Sequence, residues 1–260
     1  PAKTLTSLST SYLQNPSRRN TMEDVHRVVA PFNNDETLAF FAVYDGHGGR
    51  GVVDFIETRL EENIAAELGA PDDASINARV ERAYLTTDVE SKPANLRTSG
   101  ATAVTCLLRR TPDGGVTVHA ANVGDSRAVL CRGGHAERLT YDHKACDAAE
   151  QARVEGVGGF ILRNRVLGIL AVTRSFGDHA GGSNGGGGGG DACSGGGAPE
   201  CPFLILACDG VWDVMSDSDA VRFVGEAQAA GNEARAAELL VQEALDCGTT
   251  DNVTVVIVFF

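Results

Sequence analysis

The chain has 260 residues, of which 43% are hydrophobic, enough for a sizeable core in one large domain or two small ones. Its formal net charge of -13 argues against nonspecific binding to nucleic acid or to an anionic membrane, since both need positive surface. No apolar run is long enough for a transmembrane helix, and the N-terminus lacks the apolar core of a secretory signal peptide.

Apolar runs bounded by turn residues predict strands along most of the chain. Gly133-Gly134 is typical of a two-residue hairpin turn, so strands joined by such short turns should pair antiparallel. The predicted strands, in chain order, are 25–30, 37–44, 102–109, 116–123, 126–132, 135–140, 203–208 and 253–259.

Helices are predicted in two pairs, each after a strand that ends in Asp-Gly. Apolar residues spaced by three or four predict the first pair at 50–68 and from Ile76 onward. In the second pair, Ser216 is the predicted N-cap of a helix to about 228, and Asn232 of a helix to about 246. Helices segregated outside antiparallel sheets indicate an α+β class with layered architecture.

Residues 181–197 form the low-complexity segment of the chain. Glycine occupies 11 of these 17 positions, too many for the segment to bury much apolar surface. The composition therefore predicts a flexible loop that connects neighbouring elements.

The seven cysteines are scattered, and none forms a Cys-x-x-Cys pair. Several lie in apolar runs, where a free cysteine behaves as a small hydrophobic residue. This pattern favours a reducing compartment, the cytoplasm or the nucleus, and does not indicate structural zinc.

Acidic residues adjoin five of the apolar runs. If the runs are buried strands, their ends lie at the rim of a sheet, where several carboxylates could converge. Crowded carboxylates repel unless a cation lies among them, so the pattern predicts a metal site with hard oxygen ligands. The acidic residues at these run ends are Glu23, Asp24, Asp45, Asp125, Asp209, Asp213 and Asp251.

Eight motifs occur in an order that is itself informative. Any one of them is weak, because an Asp-Gly pair alone is usually a turn. The motifs are Arg19-Asn20-Thr21-Met22-Glu23-Asp24, Val43-Tyr44-Asp45-Gly46-His47-Gly48-Gly49, Ser99-Gly100-Ala101-Thr102-Ala103, Asn122-Val123-Gly124-Asp125-Ser126-Arg127-Ala128, Leu139-Thr140-Tyr141-Asp142-His143-Lys144, Leu170-Ala171-Val172-Thr173-Arg174-Ser175-Phe176-Gly177-Asp178, Ile205-Leu206-Ala207-Cys208-Asp209-Gly210-Val211-Trp212-Asp213 and Thr250-Asp251-Asn252-Val253-Thr254.

Together these motifs resemble the metal-dependent protein serine/threonine phosphatases of the PP2C type, the PPM family. The resemblance covers about residues 19–260, apart from the glycine-rich tract. It implies a four-layer α/β/β/α sandwich, with two mostly antiparallel sheets flanked by helix pairs. It also implies one catalytic domain over residues 1–260.

The resemblance further implies two Mg²⁺ or Mn²⁺ ions and their ligands. Asp45 would bridge the ions, and the Gly46 carbonyl would bind the second. Asp209 and Asp251 would bind the first. Glu23 would act on the second ion through water, and Asp24 would hold a coordinated water. Oxygen-only ligands select these metals over zinc.

The catalytic roles that the resemblance implies centre on a hydroxide held between the two ions, which attacks phosphorus in line with the leaving oxygen. Arg19 would bind phosphate oxygens, whereas the neighbouring Arg18 is read as a solvated surface charge. His47 would protonate the leaving alkoxide. The alternative for His47 is a structural role, in which its hydrogen bonds fix the loop.

A weaker third ion is implied at Asp125 and Asp213, together with Asp209. Asp125 could instead order a turn, because an aspartate in Gly-Asp-Ser readily accepts local backbone hydrogen bonds. Ser99 and Ser126 are assigned to structure, because neither lies in a nucleophile elbow. Trp212 is expected to pack in the core beside the site.

The predicted function is hydrolysis of phosphoserine and phosphothreonine in proteins by a monomer that binds neither nucleic acid nor membrane. In relatives, a segment ending in an acidic-proline strand stands where this chain has the glycine-rich tract, so an edge strand is expected to be missing or shortened. That departure motivates a second hypothesis, a catalytically weak module that binds phosphoproteins. A third is a phosphatase for small phosphate esters.

Overall fold

Two antiparallel sheets form the centre of the computed structural model, which describes residues 5–92, 96, 98–112, 114–179, 191–197 and 202–260. One sheet has the order β1-β11-β10-β6-β7, and its strands are β1 Ser7–Leu13, β6 Arg127–Arg132, β7 His135–Arg138, β10 Phe203–Ala207 and β11 Val253–Phe259. The other has the order β2-β3-β4-β5-β9, and its strands are β2 Asp24–Val29, β3 Leu38–His47, β4 Gly100–Arg110, β5 Val116–Val123 and β9 Asp191–Gly197, with β8 Phe176–Gly177 paired to β4.

The helices lie on the outer faces of these sheets or in connections near their rims. Helices α1 and α2 form the pair that packs on the sheet containing β3 and β4, and α5 and α6 form the pair that packs on the sheet containing β10 and β11. No helix in the described part of the chain is long and apolar enough to cross a membrane. The helices are α1 Gly51–Leu68, α2 Ile76–Ser91, α3 Ala148–Gly156, α4 Asp209–Trp212, α5 Asp217–Ala229 and α6 Ala236–Asp246.

Three buried layers of side chains hold the four structural layers together. One lies between α1/α2 and their sheet, one between the two sheets, and one between the second sheet and α5/α6. The fold is therefore the predicted four-layer α/β/β/α sandwich of the α+β class.

Strand β3 shows why the apolar runs in the sequence are continuous and do not alternate. Side chains of a strand point alternately to opposite faces. Phe40 and Tyr44 pack against the helices, whereas Phe41 and Val43 pack against the other sheet. Since both faces of the sheet are covered, every position in the run is apolar and buried.

The predicted strands and the Gly133-Gly134 hairpin are confirmed, with Arg132 paired to His135 across the turn. Strand β1 was not predicted, because its sequence is rich in serine and threonine, yet it pairs with β11 along its whole length. Ser216 caps α5 as predicted, by accepting a 3.1 Å hydrogen bond from the Asp219 amide. Asn232 makes no capping bond, because a short 3-10 turn precedes α6.

The prediction of a flexible loop over 181–197 is wrong for its second half. Residues 191–197 form β9, which pairs antiparallel with β5 at the sheet edge. Strand pairing uses backbone groups, and the open edge of β5 offers partners that a glycine-rich backbone can reach. The expected loss of an edge strand is thus also incorrect, while residues 181–190 lie outside the described residues.

Replacing Phe41 tests the layer between the sheets. Because this side chain is fully buried, Phe41→Ala is expected to lower the free energy of unfolding by about 3–5 kcal/mol. Urea denaturation followed by circular dichroism measures the change. Leu85→Ala, at an exposed position on α2, is the control. Equal stability losses in the two variants would contradict this packing.

Candidate active site

The acidic residues predicted at the strand ends converge at one rim of the two sheets. Asp24 opens β2 and lies directly opposite Asp45, near the end of β3. Asp209 begins α4 immediately after β10, and Asp251 precedes β11. The Asp45 carboxylate interacts electrostatically with all three of these aspartates and with Asp125, in the turn between β5 and β6.

This crowding makes ionisation of the carboxyl groups unfavourable. Burial, reinforced by neighbouring carboxylates, raises the pKa of Asp45 and of Asp209 well above the usual range. Burial also raises the pKa of Asp24 to about 6, although hydrogen bonds from Thr254 and Cys208 oppose the shift. Asp125 and Asp251 likewise have raised pKa values, mainly through burial.

The donor set fits a divalent cation with a preference for oxygen ligands. The buried Oδ1 of Asp209 has no hydrogen-bond partner among the described residues. The backbone at Gly46 lies close to the backbone at Glu23, and only glycine fits there, because a Cβ would lie 2.7 Å from the Glu23 carbonyl oxygen. An unpartnered carboxylate oxygen within a group of repelling carboxylates is a position where a hard cation lowers the energy.

Glu23 is held at the edge of this group by the loop before β2. Its amide donates a 2.9 Å hydrogen bond to Oδ1 of Asn252. Its carboxylate accepts hydrogen bonds from the Thr21 hydroxyl at 2.9 Å and from the Gly49 amide at 3.2 Å. With its backbone fixed to the β11 end and its carboxylate to the β3 end, Glu23 joins the two sheets at the site.

Arg19 brings positive charge to the same rim. Its guanidinium forms an ion pair with Asp251, and its Nε donates a 3.2 Å hydrogen bond to the Thr250 carbonyl. The side chain is exposed enough for a substrate group to reach it. Arg18 is also exposed, as expected for a surface charge.

His47 is paired with a residue to which the sequence assigned no role. Its Nε2 lies 2.8 Å from Oδ2 of Asp178, which also accepts a 2.5 Å hydrogen bond from the Ser175 hydroxyl. Burial lowers the pKa of His47, but the hydrogen bond and negative charge of Asp178 outweigh it, so the net shift is upward. The pairing orients the ring and favours its protonated form.

The proposed third-ion residues surround an ammonium group. Nζ of Lys144 lies 2.5 Å from Oδ1 of Asp213 and 3.5 Å from Oδ2 of Asp125. The Asp213 amide donates a 2.9 Å hydrogen bond to the Asp209 carbonyl, which places both residues on one turn. Although burial lowers the pKa of Lys144, the two carboxylates raise it overall, so the side chain stays charged.

Comparison with known proteins identifies the family. The family model for protein phosphatase 2C matches residues 10–253. The chain belongs to the protein phosphatase 2C family. It is therefore a metal-dependent protein serine/threonine phosphatase, and the family assignment made from the motifs is confirmed.

Two yeast relatives match along most of their length. The chain is 41% identical to protein phosphatase 2C homolog 1 of Saccharomyces cerevisiae, covering 95% of this chain and 90% of that protein. It is 36% identical to protein phosphatase 2C homolog 1 of Schizosaccharomyces pombe, covering 94% and 70%.

Solved structures share the fold. A C. elegans sex-determining protein superposes with a TM-score of 0.86 at 26% identity, over 97% of this chain but 64% of that longer chain. A serine-threonine phosphatase 2C from Toxoplasma gondii has a TM-score of 0.80 at 24% identity, covering 98% and 96% of the two chains. The second likeness shows the fold alone.

Three residues of this phosphatase 2C site were missed as participants. Lys144 and Asp178 lie within the eight motifs, but the spacing of the sequence does not indicate that Lys144 contacts Asp213 or that Asp178 contacts His47. Cys208 was read as a passive core residue, yet its Sγ lies within 4.8 Å of ligand atoms of Asp24 and Asp45. Burial and these negative charges raise the pKa of its thiol well above the usual range, so the thiol stays protonated.

The residues assigned to structure have structural contacts. The Ser99 hydroxyl accepts a 3.2 Å hydrogen bond from the Val52 amide, and that of Ser126 lies 2.6 Å from the Thr102 hydroxyl. Trp212 packs in the core as expected, and its indole donates a 2.9 Å hydrogen bond to the Ala207 carbonyl.

The raised aspartate pKa values predict how metal-free stability depends on pH. A carboxyl group whose pKa is higher in the folded state stabilises the fold at low pH, and this contribution is lost as pH rises through the folded value. In EDTA, the Tm is therefore expected to fall between pH 5 and 7, across the Asp24 pKa of about 6. Added Mn²⁺ should raise the Tm most at pH 7, where the carboxylates are charged.

Differential scanning fluorimetry of wild type and Asp45→Asn measures this effect. The variant should show a flatter dependence of Tm on pH, because one member of the repelling group is removed. Asp73→Asn, at an exposed loop position, should keep the wild-type slope. A pH-independent Tm of metal-free wild type over this window would show that the carboxylates do not repel as inferred.

Proposed function

We propose that the chain hydrolyses phosphoserine and phosphothreonine in proteins with two Mg²⁺ or Mn²⁺ ions held by Asp45, the Gly46 carbonyl, Asp209 and Asp251. Glu23 and Asp24 would hold water at this centre. The buried, unpartnered oxygen of Asp209 among repelling aspartates is the observation that carries the proposal. Bound ions would neutralise these carboxylates and supply a water of lowered pKa as the nucleophile.

The protein groups around this centre have distinct tasks. Arg19 binds phosphate oxygens through its planar guanidinium and orients phosphorus toward the attacking water. His47, held by Asp178, donates a proton to the departing serine or threonine oxygen. Ser99 and Ser126 are engaged in structural hydrogen bonds and are not assigned as nucleophiles. We propose that water attacks phosphorus directly, without a covalent phosphoenzyme.

Asp125 and Asp213 are proposed as a weaker third cation site, completed by Asp209. The Lys144 ammonium contacts both residues and partly neutralises their charge. An ion at this position would have to compete with that ammonium, so we expect its binding to be weak. We further propose a single catalytic domain that acts as a monomer in a reducing compartment, the cytoplasm or the nucleus, without binding nucleic acid. In the described part of the chain, Cys146, Cys208 and Cys247 carry free thiols.

Turnover of a phosphothreonine peptide tests the metal centre. Asp209→Asn is expected to lower kcat/KM by more than about 100-fold, because the variant loses a direct metal ligand. Even residues that only hydrogen-bond to metal ligands typically change metal affinity or activity by 10–100-fold. Phosphate release is measured with Mn²⁺ and with EDTA, and Asp73→Asn is the control.

Metal binding without turnover in wild type would favour the phosphoprotein-binding module. A higher kcat/KM on metabolite phosphates than on phosphopeptides would favour the small-ester phosphatase.

The role of His47 is tested by changing the leaving group. His47→Asn is expected to slow hydrolysis of a phosphothreonine peptide by about 10²–10⁴-fold, because an alkoxide leaves poorly without a proton. Hydrolysis of p-nitrophenyl phosphate should change little, since nitrophenolate needs no acid. His135→Asn, at an exposed position on β7, serves as the control. Equal losses on both substrates would point to the structural alternative.

A further inference from the structure

A hairpin beside the active site exposes apolar and positively charged side chains together. Phe160, Leu162 and Ile169 are 54%, 56% and 69% exposed. Arg163 and Arg165 lie in the same hairpin, and within the described part of the chain neither has an ion-pair partner. We call these five residues the hairpin patch. Exposed apolar groups rimmed by charge are typical of interaction sites.

The backbone under the patch is well defined. Leu162 and Arg165 exchange two backbone hydrogen bonds, of 2.9 Å and 3.1 Å, around a two-residue turn. Both turn residues have positive φ, 53° for Arg163 and 57° for Asn164, as in a tight turn of the I′ type. The arginine at the tip is thus presented by a hydrogen-bonded scaffold, which reduces the ordering cost of binding.

The opposite face of the hairpin is fixed to the protein. Ile161 and Val166 form a β-bridge and pack with Val154 of α3 and Ala145. Because side chains alternate along an extended segment, Phe160 and Leu162 point away from this small core. The Leu162 side chain lies close to Gly168, the neighbour of Ile169, so these two apolar members of the patch are near each other.

The hairpin is anchored at the active-site rim. Lys144, whose ammonium contacts Asp213, forms a β-bridge with Val172 just after the hairpin. The Ala145 amide also donates a 2.7 Å hydrogen bond to the Ala171 carbonyl. The base of the hairpin therefore lies beside Lys144 at the acidic rim, near the residues that would flank a phosphorylated side chain bound there.

Charge indicates which flanking residues the patch fits. A phosphoprotein segment approaches a molecule of net charge -13, so repulsion disfavours acidic sequences over most of its surface. Arg163 and Arg165, which form no ion pair among the described residues, add positive charge at this place, and Arg165 is held there by a hydrogen bond to the Ile169 carbonyl. Building on the proposed function, we propose that the hairpin patch is a docking site for a substrate segment in which an apolar side chain is flanked by acidic residues.

The test compares three substrates: a phosphothreonine peptide with Leu-Asp-Glu flanks on both sides, a matched peptide with Ser-Gly flanks, and p-nitrophenyl phosphate. Wild type with Mn²⁺ should show about tenfold higher kcat/KM for the acidic-apolar peptide, through KM. The double variants Phe160→Ser/Leu162→Ser and Arg163→Ser/Arg165→Ser should each lose most of this advantage. Their turnover of p-nitrophenyl phosphate should match wild type.

Two controls sharpen the result. Leu85→Ser/Val89→Ser removes exposed apolar side chains from α2 and should leave the preference intact. Raising NaCl from 50 to 300 mM should weaken the preference in wild type but not in the arginine variant, because exposed charge interactions are screened. The proposal is overturned if wild type shows no preference, or if both hairpin variants keep it.

Failure of the docking site can be separated from failure of the phosphatase proposal. If wild type releases no phosphate from any substrate, fluorescence anisotropy of the unphosphorylated acidic-apolar peptide still compares wild type with the hairpin variants. Equal binding by all of them would reject the docking site. The alternative occupant of the patch is a second copy of this chain, and analytical ultracentrifugation tests for it. If wild type self-associates and the hairpin variants do not, the patch is a contact between copies and the proposal is overturned.

Discussion

Mutual repulsion of carboxylates at the rim shared by the two sheets is the constraint on which the site depends. Asp24 and Asp45 come from one sheet, whereas Asp209 and Asp251 adjoin strands of the other. Packing between the sheets therefore buries these carboxyl groups and brings like charges together, and the raised pKa values of Asp45 and Asp209 express both costs, burial first. The interlayer core must supply the free energy that holds this arrangement until a cation neutralises it.

Hydrogen bonds that cross between the sheets fix the geometry of the group. The Asn252 amide donates to the carbonyls of Gln14 and Thr21, at 2.8 Å and 3.0 Å, while its Oδ1 accepts from the Glu23 amide. Gly210 permits the closest contact, since a Cβ there would lie 2.0 Å from the Asn252 carbonyl oxygen. Asn252 thus links the loop before β2 with the starts of α4 and β11.

The sequence predicted those parts of the fold whose signal lies in side chains. Doubly covered strands are apolar throughout, so β3, β10 and β11 stand out. Strands β1 and β9 do not, because pairing at a sheet edge depends on backbone groups that polar or glycine-rich segments also possess. In the site, the candidate ligands were recognisable from their motifs. The pairing of His47 with Asp178, and of Lys144 with Asp213, depends on tertiary contacts across more than sixty residues.

Cationic side chains at the rim connect metal binding to substrate binding. Arg19 pairs with Asp251, and Lys144 with Asp213 and Asp125, so each cation partly neutralises the carboxylates where an ion is proposed to bind. If Asp251 binds the proposed metal ion, its attraction for Arg19 would weaken. The guanidinium would then be available to phosphate oxygens. A molecule of net charge -13 would thereby offer positive charge to a phosphoprotein at the proposed phosphate position, and chiefly when the proposed ions are bound.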